Sequence, residues 1–520
     1  MARKRYRLFL INPRLRYKHY GVQHELSRLL GKRTMTAPLA LPLVAALTPD
    51  HYSIRIIDEE VGTIPNGVVP DLVGITTLIS TIDRGYAIAD QYRSMGAKVV
   101  MGGTYATFNT AEVLEHADSV VCGEAEGAWT ECLADFEKGE LKDVYRAGKS
   151  TDFSSSVPPR WDLVDTKRIN TLSVETSRGC PFNCEFCLVN KMFGRRMRYR
   201  EIADVVREIE ALPIKKILFV DDNLTIHKKR ARRLMEAIEP LGISWVCQSS
   251  IEVAKDPELL EAMARAGCLS IIIGFESVNP DSLEETRKHH NRVEEYDEAI
   301  AAIHAAGINV MGSFIVGFDA DTLKSFDDIY QFIDRNNMVY NMLSILTVAP
   351  GTDLWRRMED EGRLYGTNRE MMNGALPCLH YMKMSQVDML DSFVEALGRL
   401  FDIDAQRRRA LRLLEGGTFL KDTSGKVGFI EKAGVFIRLV GRFAFSKDPA
   451  RRRLFKELTA LGRNGRAAMD KVVLLLLSIE GNILYLDDLR SKLPDIRAAI
   501  EKADQGPWEK MEETGSDPIS

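Results

Sequence analysis

Three cysteines, Cys180, Cys184 and Cys187, stand within eight residues in the stretch SRGCPFNCEFC (177–187), spaced C-x3-C-x2-C. A structural zinc site takes four ligands, usually as two separated pairs. No second pair is present here, because Cys247 and Cys268 fall on different predicted strands. A four-iron cluster takes four thiolates, so three would leave one iron for a ligand that the chain does not supply. An open metal position is where a catalytic centre binds its substrate or cofactor. Gly179 and Pro181 bracket the first cysteine and permit a tight wrap, and Phe186 offers an aromatic cover beside the last. The remaining cysteines, Cys122, Cys132, Cys247, Cys268 and Cys378, are scattered in apolar surroundings. They read as buried free thiols in a reducing compartment rather than as a disulfide framework.

The elements that must position this loop follow from the apolar pattern. From Ile169 to Met384 short Val/Ile/Leu-rich runs alternate with helical patterns. Six candidate strands occur in NTLSVET, KKILFVDD, SWVCQSS, LSIIIGFES, NVMGSFIVGF and NMLSILTVAP. This alternation predicts a partial, TIM-like (β/α)6 barrel over 169–385 with its site at the strand C-termini. Polar residues recur at that end: Asp221 and Asp222, Gln248 and Ser250, then Glu276. The cysteine loop directly follows the first of these strands.

Residues 1–140 show the same alternation, and buried strands of continuous aliphatics imply a parallel sheet covered on both faces. The expected fold class is therefore α/β, with a doubly wound, Rossmann-like domain ahead of the barrel. Residues 141–168 are rich in Ser and Pro and read as a linker. Residues 386–504 read as a helical domain, and 505–520 as a disordered tail.

The chain has 520 residues, 45% hydrophobic and 28% charged, with a net charge of -4. This suits a multidomain globular protein and gives no global field for nucleic acid. No signal peptide and no membrane-spanning run are read, so the expected location is the cytoplasm. His289 and His290 read as a solvated turn, KKRARR (228–233) as a solvated helix face, and His304 as structural.

The cysteine motif after a strand resembles the signature of the radical S-adenosylmethionine (SAM) enzymes. In that family the open iron chelates SAM, and one electron from the cluster cleaves it to a hydrogen-abstracting radical. The resemblance implies a [4Fe-4S] cluster on Cys180, Cys184 and Cys187. It implies SAM contacts at Phe186, Asp221, Asp222, Gln248, Ser250, Glu276 and Val316, the last in GSFIVGF (312–318), which is similar to the family's adenine-side strand. It also implies an electron donor such as flavodoxin or ferredoxin.

The N-terminal stretches PLALPLVAAL, DLVGITTLIST, MGGTYAT and VVCGEAEG resemble the cobalamin-binding domain of one subclass, which includes hopanoid methylases and the anaerobic chlorophyll ring cyclase. The cobalamin contacts so implied are Pro42, Thr76, Thr77, Gly102, Gly103, Thr104, Gly123 and Glu124. No Asp-x-His-x-x-Gly motif, which supplies a lower histidine in some cobalamin proteins, is present.

The expected activity is methylation of an unactivated carbon on a hydrophobic, lipid-like or secondary-metabolite substrate. The alternatives are a radical cyclase, oxidase or carbon–carbon bond-forming enzyme, and a non-catalytic cobalamin or redox sensor. No catalytic acid or base is singled out. From Phe401 to Lys471 there are 17 basic and 8 acidic residues, interleaved with apolar stripes. A basic amphipathic helix can lie on a membrane surface, so peripheral membrane contact through this region is a further expectation beside the helical-cap reading.

Overall fold

The computed structural model describes residues 5–17, 24–65, 67–147, 153, 157–364, 369–374, 376–415, 429–465 and 467–503. Its strands are β1 (Tyr6–Asn12), β2 (Thr34–Thr36), β3 (Tyr52–Asp58), β4 (Leu72–Thr76), β5 (Lys98–Gly102), β6 (Ser119–Cys122), β7 (Val144–Arg146) and β8 (Ile169–Val174). There follow β9 (Ser177–Arg178), β10 (Arg198–Tyr199), β11 (Lys216–Phe219), β12 (Ser244–Ser249), β13 (Cys268–Glu276), β14 (Asn309–Val316) and β15 (Tyr340–Ile345).

The N-terminal sheet runs β3-β1-β4-β5-β6-β7 and is parallel throughout. The chain winds one way from β1 to β3 and the other way from β4 onward. The strand order therefore switches between β1 and β4, and a crevice opens beyond their carboxyl ends at such a point. Its helices cover both faces, leaving β6 wholly buried. β7 lies inside the stretch expected to be linker and completes this sheet; residues 148–152 and 154–156 of that stretch lie outside the described residues.

The second sheet runs β15-β14-β13-β12-β11-β8-β2, also parallel, and curls into a half-barrel. Six strands are those expected. The seventh, β2, comes from the N-terminal segment. Thr34 and Thr36 pair with Ile169 and Thr171 and cover the otherwise open edge at β8. The next helix begins at Ala40, and Pro42 sits in its first turn, where no N–H is needed.

Local chemistry fixes the barrel helices. In Pro257–Arg265, for example, the Asp256 carboxylate accepts from Leu259 N at 3.1 Å and Pro257 opens the first turn. Between strands and helices the core is aromatic: Phe275 stacks on Phe314 at 5.4 Å, and Phe332 and Tyr296 meet them edge-on.

The C-terminal part is helical: Gln386–Leu400, Ile403–Glu415, Phe429–Leu439, Pro449–Arg463 and the long Met469–Ala503. Its core includes Leu413, Leu439, Phe443, Leu458 and Leu476, and Val339 from the barrel joins it. The apolar run DKVVLLLLSI is thus spent on helix packing. Among the described residues no helix is long and apolar enough to cross a membrane. The expected disordered tail, with Asp504, lies outside the described residues.

Candidate active site at the barrel mouth and the interdomain crevice

The cysteine loop leaves β8 and is pinned at its root. β9 pairs antiparallel with β10, Arg178 against Arg198. Between root and first cysteine, Gly179 has φ +95°, and a Cβ there would stand 2.7 Å from the Arg196 carbonyl oxygen, so only glycine fits. Asp221 secures the same root from β11. Its carboxylate accepts from Thr176 N (3.0 Å), Thr176 Oγ1 (2.7 Å) and Ser177 Oγ (2.5 Å), and it is 1% exposed. Arg230, from the helix expected to present a solvated basic face, instead turns inward and donates to the carbonyls of Thr176 and Arg200 at 3.1 and 2.8 Å.

A second segment, Thr286–His290, backs the loop from the outside. Glu185 N donates to Thr286 O at 3.1 Å, Lys288 Nζ lies 5.9 Å from the Phe186 ring centre, and His290 stacks on Phe182 at 3.6 Å, 5° from parallel. The solvated-turn reading fits His289, an exposed partner of Glu284 at 3.0 Å, but not His290. Burial, then Lys288 and His289, pushes the His290 imidazole down to about 3, so it is neutral in the stack. Glu185 is held by the Arg357 guanidinium at 2.9 and 3.1 Å, which clips the loop to the helix Asp353–Asp360.

The three thiols are half-buried. Burial raises all three above the usual cysteine range, Cys187 to about 11. A low-dielectric cradle of this kind favours thiolates only when cations neutralise them. Among the described residues no three Cys, His, Asp or Glu side chains converge as ligands of one ion. A cubane cluster binds each thiolate on a different iron and so needs them apart. Three half-buried sulfur donors on one loop fit the thiolate ligation of an iron–sulfur cluster.

Of the seven residues expected to meet SAM, Phe186, Asp222, Gln248 and Ser250 keep some open surface, and Glu276 is buried against Lys288. Asp222, beside the buried Asp221, is pushed up to about 7 by burial, then by Asp221 and Glu175, while Gly179 N–H works against that shift. Gln248 is exposed at the end of β12, and Ser250 N donates to Asn223 Oδ1 at 3.3 Å. Glu276 lies at an irregularity in the β13–β14 register with φ +62°, which re-aims its side chain, and it pairs with Lys288. Phe186 packs toward Phe318 at 6.3 Å. Two of the expected residues face the other way. Asp221 is committed to the loop root, and Val316 is wholly buried in the barrel core, so neither side chain presents open surface.

The crevice beyond β1 and β4 is a cavity of about 340 Å³. Of the residues expected to contact cobalamin, Thr76, Gly102, Gly103, Gly123 and Glu124 line it; Pro42, Thr77 and Thr104 do not. Pro42 is buried, and its carbonyl accepts from Arg160 N at 2.9 Å. Thr77 donates its hydroxyl to Gly102 O at 3.0 Å and so shapes the glycine turn from behind. Gly103 has φ +97°, and a Cβ there would meet Thr77 O at 2.5 Å. Thr104 opens the short helix Thr104–Phe108.

The opposite wall of this cavity belongs to the barrel: Glu175, Arg178, Met192, Phe193 and Val220. Arg178 joins the two walls. Its guanidinium bonds Glu124 (2.9 Å) and Glu126 (2.8 Å) from the N-terminal sheet and Glu175 (2.9 and 3.0 Å) from the barrel, while its face lies 4.4 Å from the centre of the Phe153 ring. Arg198 adds a second cation on Glu124. This network, and Lys288, were not found from sequence. Arg178 stands two residues before the first cysteine, but its partners Glu124 and Glu126 are more than fifty residues away. A second seam is made by Arg369, which reaches Tyr105 Oη at 2.9 Å and Asp83 at 2.7 Å.

The family described as the radical SAM superfamily matches residues 174–333, and a domain of unknown function (DUF4070) matches 352–493. The chain is 31% identical over 400 residues to a bacteriochlorophyllide d C-12(1)-methyltransferase of Chlorobaculum tepidum, covering 74% of this chain and 86% of that protein. It is 26% identical to the hopanoid C-2 methylase of Rhodopseudomonas palustris, covering 78% and 81%. Among solved structures, the radical SAM methyltransferase TsrM from Kitasatospora setae, with cobalamin and a [4Fe-4S] cluster bound, superposes with a TM-score of 0.58 at 15% identity. That match covers 88% of this chain and all of the other, and it speaks for the fold.

Proposed function

The chain belongs to the radical SAM superfamily, and from that premise we propose that it is a cobalamin-dependent methyltransferase acting on an unactivated carbon of a large hydrophobic substrate. A tetrapyrrole side chain is the first substrate class to test, since the C. tepidum relative is named for one. The observation that carries this reading is the shared wall: one cavity has the glycine turns of a doubly wound sheet on one side and the root of the cysteine loop on the other.

When bound, the cluster with SAM supplies a radical able to abstract hydrogen from carbon, and cobalamin supplies a methyl carrier. The chain's own residues bind, orient and shield. Cys180, Cys184 and Cys187 would hold the cluster, with Phe186 excluding water. Asp222, Gln248, Ser250 and Glu276 offer acceptors and donors for a zwitterionic, ribose-bearing ligand. Gly102, Gly103 and Gly123 would let a flat ligand approach backbone closely, with Thr76 and Glu124 as polar contacts. Arg178 ties together the two walls that would hold these ligands. The functional division we propose is 1–140 for cobalamin, 169–385 for cluster and SAM, and 386–504 as a helical cap. A protein such as flavodoxin or ferredoxin would deliver the electron.

The test is anaerobic reconstitution with methyl-labelled SAM, a reductant and a chlorophyllide-type tetrapyrrole. Label in the product is the expected result. SAM cleavage with an oxidised or cyclised, unlabelled product would replace methylation by the cyclase reading. Absence of SAM cleavage in protein carrying its full iron would overturn the enzymatic reading.

A further inference from the structure

The helix Phe429–Leu439 and the π-helical turn Val440–Ala444 that continues it carry two apolar stripes. Val435, Leu439 and Phe443 form the first and are buried in the C-terminal core. Ile437 and Phe445 form the second, and they are 69% and 81% exposed. Gly441 lies between them, with nothing within 4 Å of a Cβ built on it. At four-residue spacing Ile437, Gly441 and Phe445 share one side of the helical stretch, and nothing covers it at Gly441. Single exposed apolar residues are ordinary on any surface. This pair differs in its surroundings.

From Gly434 to Lys456 the sequence has seven basic residues and one acidic residue, Asp448. Arg442 and Arg451 share the buried Glu480 at 2.7 and 2.6 Å, which leaves a net positive charge there. Arg452 is exposed and donates to the carbonyls of Ser446 and Lys447 at 2.6 and 2.9 Å, bonds that orient it without neutralising it. Lys447 is exposed beside Phe445. Exposed apolar side chains in a segment so rich in basic residues match an interface that is anionic outside and apolar a few ångströms deeper. Long basic side chains can reach the phosphates of such a surface while the apolar tips enter it.

We propose that this face docks the protein on an anionic membrane surface, with Phe445 and Ile437 entering the boundary between headgroups and acyl chains and Arg442, Lys447 and Arg452 meeting lipid phosphates. The inference does not depend on methylation or on which substrate is used, and its test reads no activity.

The full chain is floated with vesicles of phosphatidylcholine alone or mixed with phosphatidylglycerol, at low and high salt. Binding to the anionic vesicles, weakened by salt, is expected. Ile437→Ser with Phe445→Ser should weaken it by about tenfold or more. Lys447→Gln and Arg452→Gln should each cost about fivefold. Both apolar side chains are exposed, so the serine variant should melt like the wild type, which a thermal scan checks. Failure to bind anionic vesicles, equal binding to both kinds, or unchanged binding by the serine variant overturns the proposal. So does a wild-type dimer that Phe445→Ser dissolves without any vesicle binding, because a second copy would then cover the face.

Discussion

The cysteine loop and the interdomain crevice, which meet at Arg178, are built by opposite means. The cysteine loop is held by side chains: Asp221 on Thr176 and Ser177, Arg357 on Glu185, Lys288 on Glu276, His290 on Phe182. The crevice is held open by their absence, at Gly74, Gly102, Gly103 and Gly123. A site that must fix a metal centre and a charged ligand needs many converging polar groups, whereas one that receives a broad flat ligand needs backbone it can approach. The same fold supplies both, because each lies beyond the carboxyl ends of a parallel sheet.

Breaking the two pockets separately gives the sharpest predictions. Cys184→Ala has the largest expected effect: iron and sulfide content fall, and reductive SAM cleavage disappears, while the crevice keeps its ligand. Iron assay and product chromatography check this. Arg178→Met should damage both pockets at once. It strands Glu126 and Glu175 in a largely buried space while Glu124 keeps Arg198, and loss of one partner from such a network costs about 3–5 kcal/mol. A denaturant melt should show it, with Arg178→Lys intermediate because an ammonium cannot bridge three carboxylates with fixed geometry.

Gly103→Val should affect the crevice alone. A β-branched residue at φ +97°, with its Cβ against Thr77 O, costs about 1–3 kcal/mol, and cobalamin retention should be lost with iron content unchanged. The smallest effect is expected from His290→Leu. Removing one ring from the Phe182 stack costs about 1 kcal/mol. It should speed bleaching of the cluster in air, followed by absorbance, and leave cobalamin retention intact.

The contrast also explains what the sequence made legible. The cysteine motif is local, so three ligands in eight residues announce themselves, and the βα rhythm fixes which strand they follow. The glycine turns of the crevice are equally local. Arg178 and Lys288 were missed because their partners are set by tertiary structure: Glu124 belongs to another sheet, and Glu276 is turned toward Lys288 by a register irregularity. The choice between Asp221 and Asp222 was within reach. Strand alternation puts Asp221 on the buried face of Ile217 and Phe219, and Asp222 on the other with Leu218 and Val220. The same period places Val316 with the buried Phe314. β2 had no sequence signal, since three residues are too few to show a period and their role is to cover an edge 135 residues away.

The most direct test of two separate pockets is one paired assay. Wild-type, Cys184→Ala and Gly103→Val proteins are loaded anaerobically with iron, sulfide and cobalamin, passed through gel filtration, and assayed for both iron and cobalt. The predicted result is a crossed loss: Cys184→Ala retains cobalt without its cluster iron, and Gly103→Val retains iron without cobalt. Wild-type protein that holds iron but no cobalt, or variants that lose both together, would contradict the account.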